Sequence, residues 1–454
     1  MTSSPARSPA AADPTLLRAW LGVAAGAAGT SGLLAVLVAL ARMPGARFLS
    51  PHTFSTLLVG HVAFALIVWL LGGVVVTALA ACGGRGAGGG GRVGAILAAG
   101  GSLLVLLASL SGRGRPVLSD YVPVVDAPAY LAGLALVAAG AAGGLMSIVR
   151  PVRRGRSAVA WGASCVAATF GVTLLAAVAG ILRAGRLPYQ IVFWGAGHAL
   201  QFVYAGAMAL AWYVLARGAG TVSPAPRLIR AAFGLYPLLA LGGAAVYAGP
   251  EPAALPALWK VNLALGVGIS IPTVIHLGVV GAAVAAACRR SPGLLRSSPE
   301  VAALALSMAF YVLGGVLAPV GIRGTLRVTA HYHAMLVGGV TVAFMGVIHH
   351  LLHAWGWARG SRRMAALQLW VFGLGVLATV AVLAWAGALG APRKMVGSVA
   401  ASGPWAFALR LMAPAVVPAV AGGVLFVAQV LAAVLGPRPP ARVPAAPRPA
   451  PMPP

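Results

Sequence analysis

The chain has almost no acid. Asp13, Asp120, Asp126, Glu251 and Glu300 are its only carboxylate side chains in 454 residues. Hardly any carboxylate is therefore left for an apolar interior. Cysteine is equally scarce: Cys82, Cys165 and Cys288 share no spacing that suits a metal or a disulfide, and they read as small apolar packers. There is no CxxCH and no Cys-rich copper motif, so neither an attached c-type haem nor a thiolate copper centre belongs to this chain. Charged residues of any sign make up 8%. A soluble globular domain does not have this composition.

What is abundant is apolar sequence. The chain is 60% hydrophobic, its mean hydropathy is +0.94, and runs of about 20 apolar residues recur along it. The reading is an all-α, polytopic membrane protein with twelve transmembrane helices, at approximately 16–41, 53–82, 93–112, 127–149, 158–182, 189–216, 228–249, 258–288, 300–321, 328–356, 365–388 and 404–436. No cleavable signal pattern precedes the first. Residues 1–15 read as a disordered arm, 16–436 as one membrane domain, and 437–454 as a Pro-rich disordered tail. No internal period repeats and no broken helices are evident, which argues against a solute carrier. The 61 glycines fit close helix packing in lipid. The net charge of +27 invites a nucleic-acid reading, but the arginines sit in short connections, where they set orientation instead. The side that holds both termini has the larger share of Arg and Lys. That predicts a plasma-membrane protein with both termini in the cytoplasm and no nucleic-acid partner.

The histidines are the informative polar residues, because ionisable groups inside a membrane are costly and tend to mark function. His61, His198, and the pair His331 and His333 lie a few residues to about nine residues into the second, sixth and tenth spans. All three of these spans start on the same face, so the four imidazoles share one layer in the outer half of the bilayer. Residues two apart on a helix point roughly 200° away from each other. His331 and His333 therefore serve two separate sites. His61 with either of them could clamp one haem iron, and the other could hold a second haem facing His198. The plainer reading is a set of polar residues lining a packed bundle. His349, His350 and His353, at the inner end of the tenth span, suit either a metal on one helix face or a partly charged helix end. Arg393 and Lys394 fall in an outer loop near the histidine layer and suit anionic propionates.

In this order the residues resemble subunit I of the haem–copper oxidases and the related nitric oxide reductases. His331-Tyr332-His333 matches the helix-ten His-aromatic-His pattern. Phe193-Trp194-Gly195-Ala196-Gly197-His198 is similar to the helix-six motif that ends in a copper-binding His. Residues Ser119 to Pro128 are similar to a loop before helix four. Ile271-Pro272-Thr273-Val274-Ile275-His276 resembles the helix-eight segment of a proton-path lysine, with His276 in its place. Ala391-Pro392-Arg393-Lys394 resembles the basic pair that holds haem propionates. The resemblance implies a haem–copper-oxidase-like bundle with two haems: a low-spin one held by His61 and His333, and a high-spin one held by His331. It implies copper or non-haem iron near His198, and a cytochrome c-type or copper-containing subunit as electron donor.

Two departures stand out. The histidine pair near the end of helix seven is absent from Val246 to Pro252, where Glu251 is the one candidate donor. The tyrosine expected one turn after the helix-six His is Phe202, with Tyr204 nearby on another face. With no carboxylate inside a span, Tyr311, Thr273 and His276 are the polar candidates for moving protons. Three readings follow: an oxidase or nitric oxide reductase relative that reduces O2 or NO, a diverged haem protein for electron transfer or gas sensing, and a haem-free transporter.

Overall fold

The computed structural model describes residues 13–43, 48–84, 88–119, 122–149, 157–184, 189–221, 225–248, 255–318, 324–395 and 402–436. Most of the expected disordered arm, the Pro-rich tail and Glu251 lie outside these residues.

Twelve helices are long and apolar enough to cross a membrane. In order, spans 1 to 12 are Pro14–Ala41, Pro51–Ala81, Gly89–Leu110, Pro128–Met146, Ala158–Leu182, Trp194–Gly218, Pro226–Ala245, Ala264–Arg290, Pro299–Val316, Leu326–Ala354, Arg362–Ala388 and Ala406–Leu435. Local chemistry sets their starts. Asp13, Ser50, Ser157, Ser298 and Ser361 each accept a hydrogen bond from an early backbone N–H. Pro14, Pro51 and Pro299 follow such caps, at positions where a missing N–H costs nothing. At the far ends, Gly356 and Gly390 take φ of 67° and 88°, the left-handed conformation that closes a helix without steric penalty.

Three departures from the expected spans have physical causes. The sixth span starts at Trp194, after a short helix at Tyr189–Val192, so His198 lies about one turn into it. Helical segments break at Ile269 and at Leu411. Each break lies three residues before a proline, Pro272 and Pro414. Neither ring can donate to the carbonyl four residues back, so the expectation of unbroken helices is corrected there. Spans 2 and 10 also widen into π-helical turns at Ala63–Trp69 and His333–Thr341, a form often found at functional sites.

Spans 2, 6 and 10, which carry the four histidines, are the most enclosed, with 78%, 89% and 78% of their most apolar stretch buried against 22% for span 12. Spans 2 and 10 meet closely because Gly73 has no side chain. A Cβ there would fall 2.2 Å from the Phe344 ring. Higher up, the Trp69 indole N–H donates to Thr341 Oγ1 at 2.9 Å and joins the two π-helical stretches.

Between spans 3 and 4 a two-stranded antiparallel ladder, β1 (Arg115–Val117) and β2 (Val124–Asp126), pairs Arg115 with Asp126. It covers the histidine end of the bundle, where His52 Nε2 lies 3.3 Å from Gly114 O. At the opposite end, Glu300 is fully buried and binds His350 Nδ1 at 2.9 Å, Ser298 Oγ at 2.8 Å, and the Arg362 guanidinium. His349 Nε2 bonds Gln368 Oε1 at 2.9 Å. These partners tie spans 9, 10 and 11 together. Among the described residues no group of three or more His, Cys, Asp or Glu suits a metal, so the metal alternative for His349, His350 and His353 is corrected.

Candidate cofactor site

One cavity of about 1350 Å³ lies inside the histidine half of the bundle, lined largely by apolar side chains. His61, His198, His331, His333, Tyr204, Arg42, Arg393 and Lys394 all face it. Its size exceeds the roughly 300–1,000 Å³ of a common small-ligand pocket.

Each imidazole is held through Nδ1 on a backbone carbonyl. The partners are Ser31 O for His61 (3.1 Å), Gly314 O for His331 (2.8 Å), Thr329 O for His333 (2.8 Å) and Trp194 O for His198 (2.7 Å). A carbonyl accepts, so each Nδ1 carries the proton and each Nε2 keeps its lone pair. That is the tautomer and orientation of a metal-ligating histidine with a supporting hydrogen bond. Nε2 of His61, His331 and His333 has no hydrogen-bond partner among the described residues. His61 and His333 come from different spans and lie close enough to interact electrostatically. His331 instead packs toward span 9 through Gly314, so the two histidines of span 10 serve different sides, as their spacing requires.

The end of the cavity near Arg42 is basic. The loop after span 11 is pinned to the start of span 10 by Leu326 N–H to Ala391 O (2.9 Å) and Arg393 N–H to Gly324 O (2.7 Å). Arg393 then stacks over the Tyr332 ring at 5.3 Å, between the two histidines in sequence. Lys394 Nζ donates to Leu118 O. Arg42 at the end of span 1 points Nη2 at Arg393 O, 3.5 Å away, and its buried Nε has no hydrogen-bond partner among the described residues. Burial, with the Arg393 guanidinium beside it, pulls Arg42 down to about 10. A buried guanidinium next to another cation calls for an anion. Imidazoles with free lone pairs beside a cluster of cations suit a propionate-bearing haem.

Other candidates are placed less centrally. Tyr204 faces the cavity with its hydroxyl donated to Leu66 O in the first π-helical stretch. His276 does not line the cavity. It is fully buried, bonds the Tyr213 hydroxyl through Nδ1 at 2.9 Å, and packs among Phe233 and Tyr236. Thr273 bonds Tyr236 at 2.9 Å, and Tyr311 is the cavity-facing member of this polar group. The second-metal donor set stays incomplete: His198 is in place, Glu251 lies outside the described residues, and no three-ligand group exists among those described. The sequence reading missed Arg42 as a cavity residue, although an arginine at the end of a span was its signal. It also missed Ser31, Gly314 and Thr329, whose backbone carbonyls leave no mark in a sequence.

The family described as Cytochrome C and Quinol oxidase polypeptide I matches residues 15–425. A protein of Aquifex aeolicus (strain VF5), described as uncharacterized, is 26% identical over 329 residues, covering 69% of this chain and 80% of that one. A chain from a cryo-EM structure of a heme-copper terminal oxidase dimer superposes with a TM-score of 0.75 at 17% identity, covering 94% of this chain and 84% of that chain. At that identity the likeness shows the fold.

Proposed function

The chain belongs to the cytochrome c and quinol oxidase polypeptide I family, and from that premise we propose that it is a membrane haem redox protein in which electrons pass from a low-spin haem to a high-spin haem for reduction of O2 or NO. One observation carries the reading: three carbonyl-anchored imidazoles with unpartnered Nε2 atoms share one cavity beneath a cluster of cations. His61 and His333, reaching in from two spans, would hold the low-spin haem. His331 would hold the high-spin haem, in the cavity that His198 also lines. Arg42, Arg393 and Lys394 would hold the propionates. Bound haem iron supplies one-electron chemistry and, where an axial position is open, a place for a diatomic gas. Tyr204 keeps a hydroxyl proton at the Leu66 carbonyl, on the cavity wall. Tyr311, with Thr273 and Tyr236 behind it, is the route by which this chain's own hydroxyls reach the cavity. The protein sits in the plasma membrane with both termini in the cytoplasm, and takes its electrons from a separate donor subunit.

A second reading has its own support. The described residues contain no three-donor set for copper or non-haem iron, which favours a diverged haem protein that transfers electrons or senses a gas. Reduced-minus-oxidised spectroscopy of the purified protein tests both, and the absence of any haem band sinks both. Carbon monoxide then separates them. A CO-responsive haem with about one copper or non-haem iron per chain supports the enzyme. A CO-responsive haem without that metal supports the sensor.

A further inference from the structure

The histidine end of the bundle is basic in a way that selects a partner. Arg113 and Arg115 stand exposed on and beside the β1–β2 ladder, and Lys394 is exposed next to it. Arg393 and Arg327 are half-buried at the start of span 10 and the loop that pins it. Among the described residues at this end the one acid is Asp126, and its cross-strand neighbour is Arg115. The sequence adds only Asp120 and Glu251 to the connections on this side. The same patch contacts the site: Arg393 and Lys394 face the cavity, and Arg393 lies over Tyr332 between the two span-10 histidines.

Resting on the redox reading above, we infer that the electron donor docks on this patch through an acidic face, and that a basic donor is repelled. A cluster of like charges steers an oppositely charged partner and raises its encounter rate by about 10- to 1,000-fold, an effect that salt removes. It also penalises a partner of the same sign. The ladder and the Ala391–Lys394 loop are joined by the Lys394 bond to Leu118 O, so they form one platform. This platform covers the end of the cavity where the histidines lie, which gives a docked donor its shortest approach. Anionic lipid headgroups would favour the same charges, but they do not account for a basic platform built around cavity-lining residues.

The test uses the full-length holoprotein in nanodiscs of neutral phosphatidylcholine. Binding of one acidic and one basic c-type cytochrome of similar size is measured by surface plasmon resonance at about 20 and about 200 mM salt. The acidic cytochrome is expected to bind more tightly, and to weaken about tenfold or more across that range. Arg113→Glu with Arg115→Glu weakens it several-fold at low salt. Arg289→Glu with Arg290→Glu, exposed at the other end, leaves it unchanged. Equal or tighter binding of the basic cytochrome overturns the inference, as does binding that ignores both salt and the patch variant. If the patch variant loses affinity only for phosphatidylglycerol vesicles, the surface serves lipid and the inference fails. Binding needs no haem signal, so the outcomes separate. A haem band without charge-dependent binding refutes this inference alone, whereas charge-dependent binding without a haem band refutes the redox reading and the electron-donor role of the partner with it.

Discussion

The approach of spans 2 and 10 depends on one missing side chain. Gly73→Ala places a Cβ 2.2 Å from Phe344 Cδ2 and 2.7 Å from Cε2. Ordinary carbon–carbon contact is about 3.5–4.0 Å, so the ring or the helix must retreat by more than about 1 Å. Phe344 is fully buried. Overpacking of this kind costs about 1–3 kcal/mol. The strain falls on the seam that aligns His61 with His333, about 18 Å along span 2 from His61. We expect the variant to lower the apparent unfolding midpoint at a fixed scan rate and to weaken the low-spin haem band. Adding Phe344→Leu restores most of both, because the smaller side chain vacates the contested volume. Gly100→Ala is the control. A Cβ there meets nothing within 4 Å, and helix propensity makes the change neutral or stabilising by up to about 1 kcal/mol. A Gly73→Ala protein with wild-type stability and spectrum refutes the reasoning, as does a double variant no better than the single.

His61→Ala removes the low-spin band and spares CO binding, while His331→Ala does the reverse; loss of both signals from either change contradicts the division of ligands. Glu300→Leu strands His350 and Arg362 at the other end of the bundle and costs about 1–3 kcal/mol, seen as a lower unfolding midpoint. Arg362→Ala costs less, because its side chain is 46% exposed. The pH dependence follows from Arg42. Burial and the Arg393 cation hold its folded value at about 10, below its ordinary range, so above about 10 the unfolded chain binds more protons. Haem-free protein therefore gains stability as pH rises above about 10. With propionates bound the cation is paired, and that gain disappears. Comparing the two forms from about pH 9 to about pH 11 checks the sign; identical profiles argue against an anion beside Arg42.

The twelve spans and their order were legible in the sequence, because apolar run length is a local quantity. Arg393 and Lys394 were legible from their place in an outer loop near the histidine spans, and both line the cavity. The rest depended on contacts between distant segments. A histidine code does not say that its Nδ1 will find the carbonyl of Ser31 or Gly314, since any residue supplies a carbonyl. The π-helical turns after His61 and at His333 come from how spans 2 and 10 pack, and no local propensity announces them. By sequence His276 stood only at the place of a proton-path lysine; that it packs in an aromatic cluster and bonds Tyr213 was set by contacts between spans. Arg42 looked like one more interfacial cation until packing buried it beside Arg393, with no partner for its Nε among the described residues. Sequence determined which spans carry these groups, since apolar run length is local. Tertiary structure decided which of them face one another, since that is set by packing across the chain.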